Sequence, residues 1–213
     1  MSAPQIYLIA EADGAKALTE RLATALSSLP VASVLLTPGA GGAFAAGDLK
    51  AAVDLIQSRG AAALISDDAT LARTLRADGV HLSWSKDPGG RYAEVREVLG
   101  GRAIVGVDAG RSRHDAMTLG EAGADYIAFG VPAHVEDRTT AFERQLDLVA
   151  WWSEIFEPPC VALDAPDADR AAQLAAAGAD FVGYTLRAGT GANDAAAALA
   201  QFQSILDPSR VSV

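Results

Sequence analysis

Acidic and basic side chains recur together along this chain, each time just after a short apolar run. Asp67 and Asp68 follow Ala62–Ile65, Asp87 follows Val80–Leu82, Asp108 follows Ala103–Val107, and Asp164 follows Val161–Leu163. Lys86, Arg111, Arg113, Arg138 and Arg187 lie in the same stretches. Carboxylate oxygens gathered in one place can hold Mg²⁺, and cationic groups beside them can neutralise a phosphate. The chemistry this allows is recognition of a small phosphorylated ligand together with a magnesium ion. Alternatively, loops are simply polar and these charges pair with one another.

What must position them is a regular alternation. Apolar runs at Ile6–Ile9, Val31–Leu36, Ala62–Ile65, Val80–Leu82, Ala103–Val107, Tyr126–Phe129, Val161–Leu163 and Phe181–Thr185 are separated by segments of helical composition. Strands alternating with helices of this length form right-handed βαβ units on a parallel sheet. Their near-continuous apolar character suits strands covered on both faces. Eight such units in 213 residues predict one α/β domain over residues 1–213, a (β/α)₈ TIM barrel. A doubly wound open sheet is the rival, but no G-x-G-x-x-G follows the first strand. In a barrel the chemistry sits on loops leaving the C-terminal strand ends. There the sequence places Glu11 and Asp13, Ser66 with Asp67, Lys86 with Asp87, Asp108 with Arg111, Arg138, and Thr185 with Arg187.

Weak repeats sharpen the layout. "AAGADFVGY" from Ala176 echoes "EAGADYIAFG" from Glu121, and "RADGVHL" from Arg76 is a looser copy. Each reads as a helix end followed by a strand. This puts Asp78, Asp125 and Asp180 at strand beginnings, away from the functional face, in structural roles. By alternation His81 points opposite to Val80 and Leu82, either into the barrel or against a helix, as a structural residue. The loop Gly39–Gly47 lacks the Gly-Lys-Ser/Thr ending of a phosphate cradle and reads as a lid or linker. "GTGAND" from Gly189 could offer backbone N–H groups to an anion, or be a helix cap made by Thr190 or Asn193. His114 and His134 have no partner visible in sequence. Cys160 reads as a small core residue, and Trp151-Trp152 as packing or an oligomer surface.

The net charge of −10 speaks against a nucleic-acid partner. No apolar run of about eighteen residues is present, so no membrane span is expected. Met1–Gln5 lacks the basic segment and apolar run of a signal peptide, and a single cysteine leaves no intrachain disulfide framework. A cytoplasmic protein with a small, phosphorylated ligand is expected; a homodimer stays open.

Two adjacent blocks add a family resemblance. "LISDDATLARTLRADGVHLSWSKDP", Leu64 to Pro88, resembles the "INDR…A…GADGVHLGQ.D" passage of the thiamine-phosphate synthase and TenI family. "IVGVDAGRSRHDAMTLGEAGADYIAFGVP", Ile104 to Pro132, is similar to that family's next block. The resemblance implies a TIM barrel and a Mg²⁺-assisted reaction joining a pyrimidine diphosphate to a thiazole phosphate with release of pyrophosphate. TenI relatives instead catalyse thiazole tautomerisation. By position the resemblance gives Ser66 the place of a diphosphate-binding asparagine, Asp67 that of a metal ligand, and Asp87, one residue late, that of a second. Lys86, Asp108, Arg111, Arg138 and Thr185 complete the expected substrate-binding rim.

The chain also departs from the family pattern. Leu36-Thr37-Pro38-Gly39-Ala40 replaces a Gln-x-Arg-x-Lys that holds the diphosphate, and Trp84 replaces a glutamine. Asp108 stands in place of a serine, Val135–Arg138 in the region of a Thr-x-Thr-Lys, and Asp164-Ala165 in place of a Gly-Gly. Losing an Arg and a Lys beside a departing pyrophosphate costs several kcal/mol on the scale of electrostatic catalysis. Two readings follow: a divergent synthase, or a paralogue that binds another small molecule or serves as an interaction protein.

Overall fold

The computed structural model describes residues 4–39, 42–44, 47, 49–131, 135–163, 165 and 167–206. Eight strands alternate with eight helices: β1 (Gln5–Ala12), α1 (Ala15–Ser28), β2 (Ser33–Pro38), α2 (Lys50–Ser58), β3 (Ala62–Ser66), α3 (Ala69–Leu75), β4 (Gly79–Leu82), α4 (Pro88–Leu99), β5 (Ile104–Asp108), α5 (Arg113–Glu121), β6 (Tyr126–Phe129), α6 (Arg138–Ile155), β7 (Cys160–Ala162), α7 (Ala168–Ala176), β8 (Phe181–Leu186) and α8 (Ala192–Leu206). Each strand pairs in parallel with its sequence neighbours, and β8 returns to β1 with Tyr7 opposite Gly183, closing the barrel. The predicted TIM barrel is the observed fold, and the open sheet is excluded.

Strand alternation creates two cores. Leu8, Val34, Ile65, Val80 and Val107 face outward and pack under the helices. Tyr7, Leu35, Leu64, Tyr126, Ala128 and Val161 fill the interior. The interior also holds polar groups: the Tyr7 and Tyr126 hydroxyls lie 2.6 Å apart, and Tyr126 Oη lies 2.9 Å from His81 Nδ1. Buried hydroxyls and imidazoles need such partners. Burial pushes the His81 pKa down to about 4, so the ring is neutral near pH 7. His81 is therefore a wall residue inside the barrel, 3% exposed. Gly106 makes room for this arrangement, because a Cβ there would lie 1.8 Å from the Tyr126 ring.

Helix starts follow cap chemistry. Asp68, Asp87, Ser112, Asp137 and Asp167 each accept a hydrogen bond from the backbone N–H three residues on, opening α3, α4, α5, α6 and α7. Pro88 at the first helical position opens α4 directly after the Asp87 cap. Cys160 belongs to β7 rather than preceding it, and is fully buried, with burial pushing its thiol pKa up. No helix among the described residues is long and apolar enough to cross a membrane.

The repeated acids at the strand beginnings share one geometry. Asp78 donates its backbone N–H to Ala63 O and accepts Ala63 N–H on Oδ2, at 2.8 and 2.7 Å. Asp125 does the same with Val105, at 3.1 and 2.8 Å, and Asp180 with Cys160, at 3.1 and 2.8 Å. Each is a two-bond staple to the preceding strand, as a structural role requires.

Candidate active site at the C-terminal mouth

Asp67 is the centre of the described rim. It directly follows β3 with a left-handed backbone, φ 59°, a conformation uncommon outside glycine that aspartate tolerates better than most residues and that a local constraint can fix. That constraint is visible: Asp67 N–H donates to His81 O at 3.0 Å, fixing the turn onto β4. The turn aims the carboxylate at the start of the β4 loop. Oδ1 accepts from Ser83 N–H at 2.9 Å and from Arg91 Nη2 at 2.8 Å. Oδ2 accepts from Ser83 Oγ at 2.7 Å and from Ser66 Oγ at 3.0 Å. Arg91 also donates from Nη1 to Ser83 O at 3.1 Å. Burial works against ionisation of Asp67, but these four donors outweigh it and hold the carboxyl below the usual range.

The other rim acids are also engaged. Asp108 is nearly buried, and its Oδ1 accepts from Gly110 N–H at 2.7 Å and Gly130 N–H at 3.1 Å, tying the β5 loop to the end of β6. Glu11 Oε2 takes Ala188 N–H at 2.9 Å, and Asp13 Oδ2 takes Gly189 N–H at 2.8 Å. The amides of Ala188 and Gly189, at the approach to "GTGAND", are thus filled by Glu11 of β1 and by Asp13 just after it. Buried Arg21 of α1 neutralises Asp13 at 2.5 Å and donates to Glu11 O at 2.5 Å. Loop N–H groups that could have cradled an anion are, in these places, already satisfied.

Ser66, Asp67, Asp108 and Thr185 lie on the strand ends as expected. Asp87 does not join Asp67; its Oδ1 accepts Gly90 N–H at 2.9 Å as the cap of α4. Lys86 and Arg111 are exposed on the rim. Arg138 opens α6 and donates to Val131 O at 3.3 Å. His114 is exposed in the first turn of α5, while His134 and Asp164 lie outside the described residues. Trp84, which the family resemblance sets in place of a glutamine, packs on Gly110, whose would-be Cβ lies 2.4 Å from the indole.

Magnesium finds no cage here. Asp67 is saturated by protein donors, Asp87 caps its own helix, and no cluster of three or more His, Cys, Asp or Glu suited to a metal occurs among the described residues. Sequence reasoning missed Ser83 and Arg91. One signal was present: Arg91 sits four residues after the Asp87 cap, where the helix dipole disfavours a cation and some compensating contact is needed.

Beside Asp67 opens a cavity of about 540 Å³, lined by Pro38, Phe44, Leu49, Ser66, Asp67 and Leu71 among others. That volume suits a small-molecule substrate. The sequence from Thr37 to Leu49, which supplies the lining residues Pro38, Phe44 and Leu49, contains no Lys or Arg.

Comparison with known proteins places the chain in a family. The family model described as thiamine monophosphate synthase matches residues 6–185. A thiamine-phosphate synthase of Rhodospirillum centenum is 38% identical over 155 residues, covering 71% of this chain and 72% of that one. One of Erythrobacter litoralis is 45% identical over 121 residues, a match spanning 56% of this chain and 55% of the relative's length. The structure of thiamine phosphate pyrophosphorylase from Pyrococcus furiosus superposes with a TM-score of 0.74 at 20% identity, covering 95% of each chain, which shows the shared fold. With 180 consecutive positions matched, from 6 to 185, the chain belongs to the thiamine monophosphate synthase/TenI family.

Proposed function

We propose that this chain catalyses the family's transferase reaction at the C-terminal mouth of the barrel. The C–O bond between a pyrimidine methylene and its diphosphate breaks, and the electron pair leaves with pyrophosphate. The nitrogen lone pair of a thiazole phosphate then closes the new C–N bond. One observation carries the reading: the Ser66–Asp67–Ser83–Arg91 network stands at the ends of β3 and β4 and borders a substrate-sized cavity. Departing pyrophosphate needs positive charge. Arg91 supplies it from within the network, and exposed Lys86 and Arg111 add to it from the rim.

A second reading, a paralogue that binds a different small ligand, is favoured by one feature. The cavity wall has Phe44, Leu49 and Leu71 beside Asp67 and Asp68, with no cation on the loop from Thr37 to Leu49. That lining suits an apolar or cationic molecule better than a diphosphate.

Purified protein is incubated with the pyrimidine diphosphate and thiazole phosphate, with Mg²⁺ and separately with chelator, and thiamine phosphate is measured by chromatography. Each substrate is titrated calorimetrically. Product formation supports the transferase; no product and no binding heat would remove it in favour of the second reading. The proposed setting is the cytoplasm. The oligomeric state, for which a homodimer stays open, is read in the same preparation by sedimentation.

A further inference from the structure

Asp67 is the residue for which the family resemblance implies a magnesium ligand, and the structure gives it a different partner. The Arg91 guanidinium bridges two oxygens that a hard cation would seek, Asp67 Oδ1 at 2.8 Å and the Ser83 carbonyl at 3.1 Å. The remaining Asp67 oxygen is held by two hydroxyls, of Ser66 and Ser83. A divalent ion at this place would meet a like charge and find one of its ligands already neutralised. The second implied ligand is committed elsewhere: Asp87 Oδ1 caps α4, and the carboxylate packs so closely on the turn that a Cβ at Gly90 would lie 2.4 Å from its Oδ2. Arg91 also sits in the first turn of α4, where the helix dipole is unfavourable to it, so its position is explained by the contacts it makes with the β3 and β4 ends.

We propose that Arg91 is the built-in cation of this site, holding Asp67 and Ser83 in place of a divalent metal. A guanidinium has five N–H groups and cannot lose its charge near neutrality. The bonds to Asp67 and Ser83 use two of them, and the side chain is 34% exposed. The site is therefore charged and oriented before any ion arrives. This concerns the same mouth as the transferase reading, but what it predicts is metal binding, which is read without turnover.

The test uses Mn²⁺ as a spectroscopic substitute for Mg²⁺, titrated into the full chain and followed by electron paramagnetic resonance and calorimetry. Wild-type protein shows no stoichiometric site that depends on Asp67. Arg91→Met gains one, binding Mn²⁺ roughly tenfold or more above any residual wild-type association, the scale of removing one like charge from a partly exposed carboxylate site. Asp67→Asn added to Arg91→Met removes it again. A wild-type site of one Mn²⁺ per chain that Asp67→Asn abolishes would overturn the proposal. So would an Arg91→Met protein that melts normally and gains no site. The wild-type and Asp67→Asn arm decides the matter even if Arg91→Met does not fold.

Discussion

At the N-terminal end of the barrel, Asp78, Asp125 and Asp180 repeat one arrangement across three alternate strand pairs, β3–β4, β5–β6 and β7–β8, each joined to the preceding strand through two bonds. At the C-terminal end, Asp67, Asp108, Glu11 and Asp13 share no pattern. One binds a guanidinium and two serines, one bridges two glycine amides, and two hold the β8 loop against β1. The difference teaches what repetition means in a barrel. Three strand pairs are closed in the same way at their lower end, so the acid that closes them recurs with the repeat. An acid serving one ligand has no reason to recur.

The most forceful way to break the contrast is at the upper end, in the clamp below the β8 loop. Arg21 is 2% exposed and holds Asp13, which holds Gly189. Arg21→Met leaves Asp13 without its cation and costs about 1.5–3 kcal/mol in urea unfolding, the scale of lost hydrogen bonds to a charged group at a part-buried site. A loss below about 1 kcal/mol would mean the clamp contributes little to folding.

The lower end is probed by Asp180→Ala, which strips the acceptor from Cys160 N–H. The expected cost is about 1–3 kcal/mol, with substrate binding unchanged per folded molecule. Equal costs at Asp78 and Asp180 would sharpen the staple account. A change in ligand affinity would break it.

Between the two ends lies His81, buried with its pKa lowered from 6.5 to about 4. The unfolded chain takes up a proton before the folded one does, so stability falls as pH drops from neutrality toward 4. Between about pH 7.5 and 6 the loss from this residue is about 1 kcal/mol. His81→Gln should flatten that part of the profile, and an unchanged slope would assign it elsewhere.

How much of this was legible in the sequence follows the same division. The barrel was readable, because eight buried strands must be apolar and must alternate with helices. The staples were readable in "GAD" and "ADG", because repetition reveals them. The rim was only half readable. Asp68 and Asp87 look like ligands in a string of acids, yet the ends of strand-to-helix loops favour capping residues, and these two serve that need. Ser83 and Arg91 were missed, since their partner Asp67 is 16 and 24 positions away in sequence. That pairing depends on the left-handed turn at Asp67, which no local pattern announces for a non-glycine residue.

The division of labour between the two mouths is tested most directly by one turnover comparison: thiamine phosphate formation by wild type, Asp67→Asn and Asp180→Ala, each normalised to folded protein. The account predicts product from wild type, a loss of about a hundredfold or more in Asp67→Asn as the charged network at β3 and β4 comes apart, and near-wild-type turnover in Asp180→Ala despite its lower melting temperature. Full turnover in Asp67→Asn, or inactive but folded Asp180→Ala, would contradict it.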